Sequence, residues 1–359
     1  MKNKVVAFPT IKGKAIKPDE LKEVNTKCIS DIIDIIKELF PSLPIPDFPK
    51  PEEPNEPKPE EPKPEEPEDP KPTDPSFPDP DVIIPLGVTA VGASKMWEKG
   101  FKGEGILVGV IDSGINKHPD LDANVTIRRN YTDEDSEPTI EHGTHVAGTI
   151  AANGKIVGIA PNAKIAEYRA LGSDGSGTYD QIAQAILDAT DDGCHVINMS
   201  LGGPIGAPEL KSAIDYATGN NVCVIAAAGN EGDGLNFTDE KSFPAMYSNV
   251  ISVGSVNYVD YDKPSRFSNS NSQVDCCSHG EQVLSTGLDG NYIELTGTSM
   301  ACPHVTGITA LVIQEMIKEG VEIKTQDVYK KLLSYAKDVY HSGYDNSTGN
   351  GFITFNEKL

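Results

Sequence analysis

From about residue 82 to the C terminus, short apolar runs rich in β-branched residues alternate with stretches of helical periodicity. The runs of strand length are apolar throughout rather than at every second position, and they cover residues 106–111, 196–200, 222–226 and 250–253. A strand that is apolar on both faces has to be covered on both, which is typical of a parallel sheet between helices. Helical stretches do lie between these runs, at 179–190 and 209–218. The sequence therefore predicts an α/β fold with a mainly parallel central sheet, whose functional side chains gather at the carboxyl ends of the strands.

A proline-rich segment precedes this region. Residues 41–85 hold 17 of the 27 prolines together with thirteen acids and four lysines, and the unit PKPEE begins at residues 49, 57 and 62. Proline fixes φ and lacks an N–H donor, and the glutamates repel one another, so neither helix nor sheet is expected. We predict an extended acidic linker over residues 41–81. A ligand for SH3-type domains is the alternative, which the acid load and the missing arginine disfavour.

The first 40 residues form an N-terminal extension. It begins with a short apolar segment, Val5 to Pro9, and a helix is predicted from about residue 18 to residue 40. Apolar residues recur there at intervals of three and four from Ile29 to Phe40, which gives one apolar stripe. We therefore divide the chain into an extension (1–40), the linker (41–81) and a main domain (82–359), and expect the extension to pack on the main domain.

The net charge of −23, of which the segment 41–85 contributes −9, argues against nucleic acid or an anionic membrane as a partner. The N terminus has no apolar run long enough for a signal peptide, and no stretch approaches the length of a membrane span. Six cysteines form neither CxxC pairs nor a dense disulfide framework, so free thiols are the simplest interpretation. These features predict a cytoplasmic protein.

Four segments of the main domain carry reactive side chains at predicted strand ends or helix starts. They contain Asp112 after the run 106–111, His142 at the start of a small-residue helix, Asn230 after the run 222–226, and Ser299 before an apolar helix. Taken singly, each has an ordinary structural explanation as a turn, cap or core residue. The neighbouring His145 suggests a metal pair with His142, but the HExxH pattern and a suitably spaced cysteine are missing, so it is interpreted as structural.

In combination the four residues supply the parts of nucleophilic acyl transfer. Ser299 needs a base because a free hydroxyl is a poor nucleophile, and His142 can take its proton. Asp112 can orient the imidazole, and the Asn230 amide can stabilise the negative oxygen of a tetrahedral intermediate.

These motifs, in the chain order Asp, His, Asn, Ser, resemble the subtilisin-like serine proteases, peptidase family S8, from about residue 82 to residue 355. Segments 228–234, 267–271 and 349–352 are similar to the intracellular branch of that family. The resemblance implies a three-layer subtilisin-like fold and a serine endopeptidase that acts through an acyl-enzyme, needs no cofactor for the chemistry, and forms a homodimer.

The resemblance also implies a substrate channel. Two segments are similar to the family's strands that bind an extended peptide between them: Gly175, Ser176, Gly177 and Ser200, Leu201, Gly202, Gly203. The first specificity pocket would be lined by Ala227, Ala228 and Gly229, with Glu231 near its far end. Such small walls predict a roomy pocket for large side chains, and Glu231 would admit basic ones.

Intracellular subtilisins carry a short extension whose apolar segment lies across the active site, and Val6-Ala7-Phe8-Pro9 is similar to it. The resemblance therefore implies an autoinhibited precursor, blocked by residues 1 to about 15 and released by proteolysis. A disordered tail is the alternative. The predicted helix and the acidic linker have no equivalent in that short extension, which leaves a tethered prodomain or a docking module open.

The sequence departs from the family at two further places. The loop 153–157 is about three residues shorter than the loop around the family's tight calcium site, which puts ion binding near Asp120 in doubt. The segment 276–280, Cys-Cys-Ser-His-Gly, replaces an apolar segment that ends Ala-Pro-Gly in the family. The family's weaker cation site maps to oxygen ligands, which suit calcium: the carbonyls of Ala245, Tyr247 and Val250 and the carboxylate of Asp275.

Three other functions compete with a protease. A catalytically silent subtilisin-like binding protein is one, since a fold does not guarantee its chemistry. An esterase of the α/β-hydrolase type is another, but it requires a GxSxG motif with the serine ahead of the acid and the histidine. The third is a scaffold protein whose working part is the proline-rich segment.

Overall fold

The computed structural model describes residues 4–8, 10–21 and 82–357. The helices of these residues, in chain order, are α1 (Leu86–Ala90), α2 (Ala93–Glu98), α3 (His142–Ala151), α4 (Tyr179–Asp191), α5 (Pro208–Gly219), α6 (Thr298–Lys318) and α7 (Thr325–Leu333). The strands are β1 (Lys4–Ala7), β2 (Ile11–Lys12), β3 (Leu107–Asp112), β4 (Val125–Asn130), β5 (Lys164–Arg169), β6 (Ser176–Thr178), β7 (Val196–Met199), β8 (Leu201–Gly202), β9 (Cys223–Ala227), β10 (Ile251–Val256), β11 (Cys276–His279), β12 (Val283–Thr286), β13 (Tyr292–Thr296), β14 (Ala336–Lys337) and β15 (Phe352–Ile353).

The central sheet has nine strands in the order β14-β15-β11-β10-β9-β7-β3-β5-β4. Its pairs are parallel except for β14 with β15, which is antiparallel. The four strand-like runs of the sequence are β3, β7, β9 and β10, which lie together in the middle of the sheet. The mainly parallel sheet predicted from those runs is therefore confirmed.

Helices cover both faces of this sheet and make three layers. Alternate residues of β3 divide between two hydrophobic cores, with Val108 and Val110 on one side and Ile111 on the other. The first core includes residues of α1, α2, α3 and α6, and the second includes residues of α4 and α5. Complete burial of one valine or isoleucine side chain stabilises the folded state by about 1.5–3 kcal/mol. The three-layer architecture follows from strands that are apolar on both faces.

Local signals fix where the flanking helices begin. Thr178 caps α4 through a capping box with Gln181, in which each side chain accepts a hydrogen bond from the other residue's backbone N–H. Pro208 occupies the first turn of α5, where its missing N–H costs nothing. Both helices agree with the stretches predicted from periodicity to within one residue at each end.

Helix α6 crosses the interior of the molecule. Contrary to our expectation that no stretch approaches a membrane span, it is long and apolar enough to qualify by length and composition. However, 94% of the most apolar stretch of this helix is buried inside the protein, as in a helix that lies in a protein core. Its apolar residues pack against β7, β9, β10 and β11.

The described part of the N-terminal extension lies on the main domain in two short sheets. One has the order β6-β1-β8 and the other the order β12-β13-β2. The predicted helix 18–40 falls outside the described residues beyond Leu21, and the linker 41–81 lies outside them entirely. Cys28 is also outside, and the five cysteines that are described are free and buried, as predicted.

Candidate active site

Asp112 and His142 form a buried pair. Asp112 is the last residue of β3 and His142 the first of α3, and the Nδ1 of His142 lies 2.8 Å from the Oδ1 of Asp112. The two side chains are 1% and 7% exposed. Because an ionised carboxylate only accepts, Nδ1 carries the proton and Nε2 is left as an acceptor. Nε2 is buried and has no hydrogen-bond partner among the described residues, so the imidazole has the tautomer of a general base.

Two small residues allow this close approach of helix and strand. The Gly143 amide donates to the Ser113 hydroxyl over 3.1 Å, which ties the start of α3 to the loop after β3. A β-carbon at Gly143 would stand 2.4 Å from the carbonyl oxygen of Gly114. Any larger residue at position 143 would therefore collide with the loop after β3.

Ser299 is the second residue of α6 and is fully buried. Its hydroxyl donates to the backbone carbonyl of Ser200 over 3.0 Å, and the Ser200 hydroxyl donates to the Ser299 carbonyl over 2.9 Å. The second bond has a cause in the sequence: Pro303, four residues further along the helix, has no N–H with which to bond the Ser299 carbonyl. The Ser200 side chain satisfies it instead. Ser299 and His142 form no hydrogen bond in this arrangement, and the predicted transfer of the Ser299 proton to His142 stays a prediction.

Asn230 follows β9 and faces the start of α6. Its Oδ1 accepts hydrogen bonds from the backbone N–H of Thr298, at 2.9 Å, and from the Thr298 hydroxyl, at 2.8 Å. The side-chain nitrogen of Asn230 lies beside Gly297, 3.0 Å from the position that a β-carbon on Gly297 would occupy. Thr298 thus fixes which end of the amide is the donor, and that donor lies next to the helix start that carries Ser299.

His145 lies one turn after His142 and is fully buried, and its Nε2 is 2.8 Å from the Val283 carbonyl. Burial lowers the pKa of His145 to about 3, so the ring is neutral at physiological pH. No group of three or more histidine, cysteine, aspartate or glutamate side chains that would hold a metal ion is found among the described residues. The geometry supports the structural interpretation of His145.

The two segments predicted to bind substrate hold the chain's own extension between them. Strand β1 is antiparallel to both neighbours: Val5 lies opposite Gly177, and Val6 lies opposite Ser176 on one side and Gly202 on the other. The Ala7 amide donates to the Gly175 carbonyl over 2.8 Å. The sequence-predicted segments 175–177 and 200–203 are thus brought together as the two sides of one channel, and β1 fills it.

Phe8 follows β1 and is 3% exposed. A β-carbon at Gly202 would stand 2.4 Å from the tip of the Phe8 ring and 2.2 Å from the Ser242 hydroxyl, so the ring reaches a recess between these two residues. Ala227 and Ala228 are fully buried, and the Gly229 amide donates to the Thr298 hydroxyl over 3.3 Å. The pocket assignment itself stays a prediction.

Glu231 is exposed, and both its backbone and its side chain bind Asn269. Its N–H donates to the Asn269 Oδ1 at 2.7 Å, and its Oε2 accepts from the Asn269 amide at 2.9 Å. This contact fixes the position of the carboxylate that we predicted near the far end of the pocket.

The Asp120 carboxylate is used by the protein's own donors. Its Oδ2 accepts hydrogen bonds from the Ile156 amide, at 3.0 Å, and from the Tyr292 hydroxyl, at 2.9 Å. The short loop 153–157 brings Gly154 against Oδ1, the other oxygen of this carboxylate. A β-carbon at position 154 would stand 2.1 Å from that oxygen. The loop therefore closes over the carboxylate and supplies a donor to one of its oxygens, and the lack of a calcium ion at Asp120 stays a prediction.

Asp275 has fewer donors. Its Oδ2 accepts from the Ser252 amide at 2.8 Å, and burial raises the pKa of its carboxyl to about 6. Of the predicted carbonyl ligands, that of Tyr247 accepts from the Val250 amide at 3.0 Å, which leaves the second lone pair of that oxygen for another partner. Among the described residues, the Ser252 amide is the donor to this partly buried carboxylate, and calcium at this site stays a prediction.

Comparisons with known proteins identify a family and several relatives. The model of the subtilase family (Peptidase_S8) matches residues 103–351. The chain is 47% identical to the major intracellular serine protease of Bacillus subtilis strain 168 over 289 residues, which are 75% of this chain and 87% of the relative. It is 46% identical to an intracellular serine protease of Paenibacillus polymyxa over 289 residues, 77% of this chain and 87% of the relative. Subtilisin E of Bacillus subtilis is 39% identical over 239 residues, 65% of this chain and 61% of the relative.

Proposed function

The chain belongs to the subtilase family and is a serine protease, and on that premise we propose that it is an endopeptidase whose catalytic residues are Asp112, His142 and Ser299, assisted by Asn230. We propose further that it is made as a precursor inhibited by its own N-terminal extension. The observation that carries the proposal is the buried Asp112–His142 pair, whose Nε2 is left as an acceptor.

The chemistry follows from the atoms in place. The Ser299 Oγ attacks the carbonyl carbon of the peptide bond while the His142 Nε2 takes its proton, and Asp112 stabilises the resulting imidazolium. The carbonyl oxygen becomes an oxyanion, to which the Asn230 amide donates. His142 then returns the proton to the leaving amine, which gives the acyl-enzyme. A water molecule, deprotonated by the same nitrogen, attacks the ester and releases the acid and the free serine.

One movement has to precede this sequence. The Ser299 hydroxyl donates to the Ser200 carbonyl, so its proton has to leave that bond before His142 can accept it. Ser200 begins the predicted substrate segment 200–203, and its bond with Ser299 is formed while β1 lies in the channel.

The position of β1 supports the autoinhibited precursor. Its main-chain bonds to β6 and β8 occupy the donors and acceptors that a substrate would use. With Phe8 in the recess beside Gly202, the residue after it in the sequence is Pro9, and a peptide bond to proline has a tertiary nitrogen that lacks the N–H of other peptide bonds. The extension thus binds as a substrate does and presents a bond that is hard to cleave.

The test uses the full chain, its Ser299→Ala variant and an Ala7→Pro variant. Proline at position 7 removes the amide that donates to Gly175, so β1 should leave the channel and casein hydrolysis should start at least tenfold faster. Lys14→Ala, in the exposed part of the extension, is the matched control and should behave like the unaltered chain. Ser299→Ala should be inactive and unlabelled by a fluorophosphonate. An Ala7→Pro chain that hydrolyses no peptide and is not labelled at Ser299 would leave a silent binding protein as the better description.

Localisation and partners are proposals of the same kind. Relatives at 46–47% identity are named intracellular proteases, and the described cysteines are free, which supports a cytoplasmic protein. The acidic charge supports peptides, rather than nucleic acid or membranes, as partners. A homodimer is proposed from the family resemblance, and sedimentation of the purified chain would show a single monomeric species if this is wrong.

We also propose a structural calcium ion at Asp275. A folded-state pKa of about 6 against about 3.9 in the unfolded chain means that the charged form is disfavoured, so stability is lost as pH rises from about 4 to 6, by about 3 kcal/mol. A bound cation would remove this cost. Calcium at pH 7 should therefore raise the Tm of the chain but not that of Asp275→Asn, and without calcium the variant should be the more stable one. An equal rise in both proteins would contradict the site.

A further inference from the structure

The N-terminal extension does not end at the channel. Beyond Phe8 it continues along β13, where β2 pairs antiparallel with Lys12 opposite Leu295 and Ile11 opposite Thr296. The Gly13 amide donates to the Glu294 carbonyl at 2.8 Å. These are contacts of the main chain, so they do not depend on which side chains the bound segment carries.

The same arrangement extends to residue 16. Ile16 and Tyr292 exchange two backbone hydrogen bonds, of 2.7 and 2.8 Å. The side chains of Ile16 and Leu21 are 8% and 1% exposed, in a cluster with Ile83, Ala152, Ile156 and Tyr292. Within the described residues, β2 is the partner that covers this edge of β13, because β12 occupies the other edge. Once the extension leaves, β13 is an edge with open donors and acceptors.

One side chain of β2 makes a charged contact. The Lys12 Nζ lies 2.8 Å from the Oε1 of Glu141, whose side chain is only 11% exposed. Ile11 is 70% exposed, and Gly13 has no side chain. Among the described residues, Lys12 is the cation paired with Glu141. Loss of the extension therefore leaves the Glu141 carboxylate, next to His142 in the sequence, without this counterion and uncovers it.

We propose that Glu141 and the free edge of β13 form a substrate-recognition surface on the side of the leaving peptide, selective for an extended chain with lysine or arginine at the fourth position after the cleaved bond. The inference rests on the proposed function. With Phe8 as the residue before the cleaved bond, P1, Lys12 is the fourth residue after it, P4′. The extension therefore shows both the path of the main chain and the position of the charge.

A substrate would use this surface in two ways. Its backbone replaces that of β2 on β13, and its basic side chain replaces Lys12 at Glu141. The charge lies four residues from the reacting carbonyl, so the contact is equally strong before and during the reaction. It should lower KM and leave kcat unchanged.

The experiment uses the full chain with three substitutions that keep the extension off both surfaces. Ala7→Pro and Gly13→Pro each remove an amide donor, and Ile16→Asp puts a charge into the apolar cluster. The substrates are quenched fluorescent peptides with phenylalanine at P1, alanine at P1′, and lysine, glutamine or glutamate at P4′. We expect kcat/KM for the lysine peptide to exceed that for the glutamate peptide by about tenfold, with the difference in KM and reduced in 1 M salt.

Variants of Glu141 in this opened chain show whether Glu141 causes the preference for lysine at P4′. Glu141→Gln should make the three peptides equivalent, and Glu141→Lys should reverse their order. Peptides that end at P2′ cannot reach Glu141, so the opened chain and its Glu141→Gln and Glu141→Lys variants should cleave them with the same kcat/KM. Any difference between these variants measures an effect on His142 instead. Asp289→Asn changes the same charge at the exposed turn between β12 and β13 and should keep the lysine preference.

Two failures can be told apart. If the opened chain cleaves all three peptides with equal kcat/KM, the recognition surface is wrong and the endopeptidase stands; Lys12 then serves only to hold the extension. If the opened chain cleaves none of the peptides and Ser299 is not labelled by a fluorophosphonate, the proposed function is wrong and the inference falls with it.

Discussion

The acid–base half of the proposed site, Asp112 and His142, differs in construction from its nucleophile half, Ser299 and Asn230. The first two residues meet across 2.8 Å at the end of a strand and the start of a helix, with their working tautomer set by the carboxylate. In the second half the amide of Asn230 is anchored on Thr298, but the Ser299 hydroxyl is bonded to the Ser200 carbonyl. One half is assembled, while the other is held by a bond that the reaction has to break.

The two halves are therefore held by different contacts. Close glycine packing between regular elements positions His142. Ser299 instead donates to the carbonyl of Ser200, the first residue of the predicted substrate segment, and this bond is formed with β1 in the channel. The reverse bond, from the Ser200 hydroxyl, originates in Pro303, which leaves the Ser299 carbonyl without a helical donor.

The largest losses of kcat should come from substituting His142 or Asp112 in the acid–base half, or Ser299 in the nucleophile half. In the Ala7→Pro chain, His142→Ala and Ser299→Ala should each lower kcat by about 10⁶, and the double variant should lose no more than either single one, because the two groups act as a unit. Asp112→Asn should lose about 10⁴, since it leaves the ring in place with the wrong tautomer. Peptide hydrolysis measures the losses, and an unchanged Tm shows that each variant is folded.

The opposite result would be a double variant whose loss of kcat equals the two single losses multiplied together. Ser299 and His142 would then contribute independently to catalysis, so the hydrogen bond between them, absent in this structure, would not form during the reaction either.

Much of this site could be read from the sequence because its residues stand at element boundaries. Continuous apolar strands predicted the parallel sheet, and the rule that chemistry collects at carboxyl ends pointed to Asp112 and Asn230. The small residues after His142 predicted a helix packed closely on its neighbours. Such features depend on local patterns of a few residues, which a sequence displays directly.

Other features depend on contacts between distant segments and had no such pattern. The role of Ser200 as the partner of Ser299 was missed, although Pro303, four residues after Ser299, was a visible sign that a helical bond is lacking. The contact of Lys12 with Glu141 joins residues 129 positions apart in the sequence, and the hydroxyl of Tyr292 at Asp120 joins residues 172 apart. Only the fold determines which side chains meet at such separations.

A smaller loss of kcat is expected for variants of Asn230, and it measures what this residue adds to the nucleophile half. Asn230→Ala should lower kcat by about 10²–10³ with little change in KM, because an oxyanion donor acts in the transition state. The alanine also leaves Thr298 without its acceptor, so a second variant is needed. Asn230→Asp keeps the oxygen that accepts both Thr298 bonds, removes the amide donor and adds a negative charge. It should match the unaltered chain in Tm and lose at least as much kcat as Asn230→Ala, since a carboxylate repels the developing oxyanion. If Asn230→Asp kept its kcat and Thr298→Val lost it, the role of Asn230 would be to hold the start of α6, and the donor to the oxyanion would have to be a backbone amide of that helix.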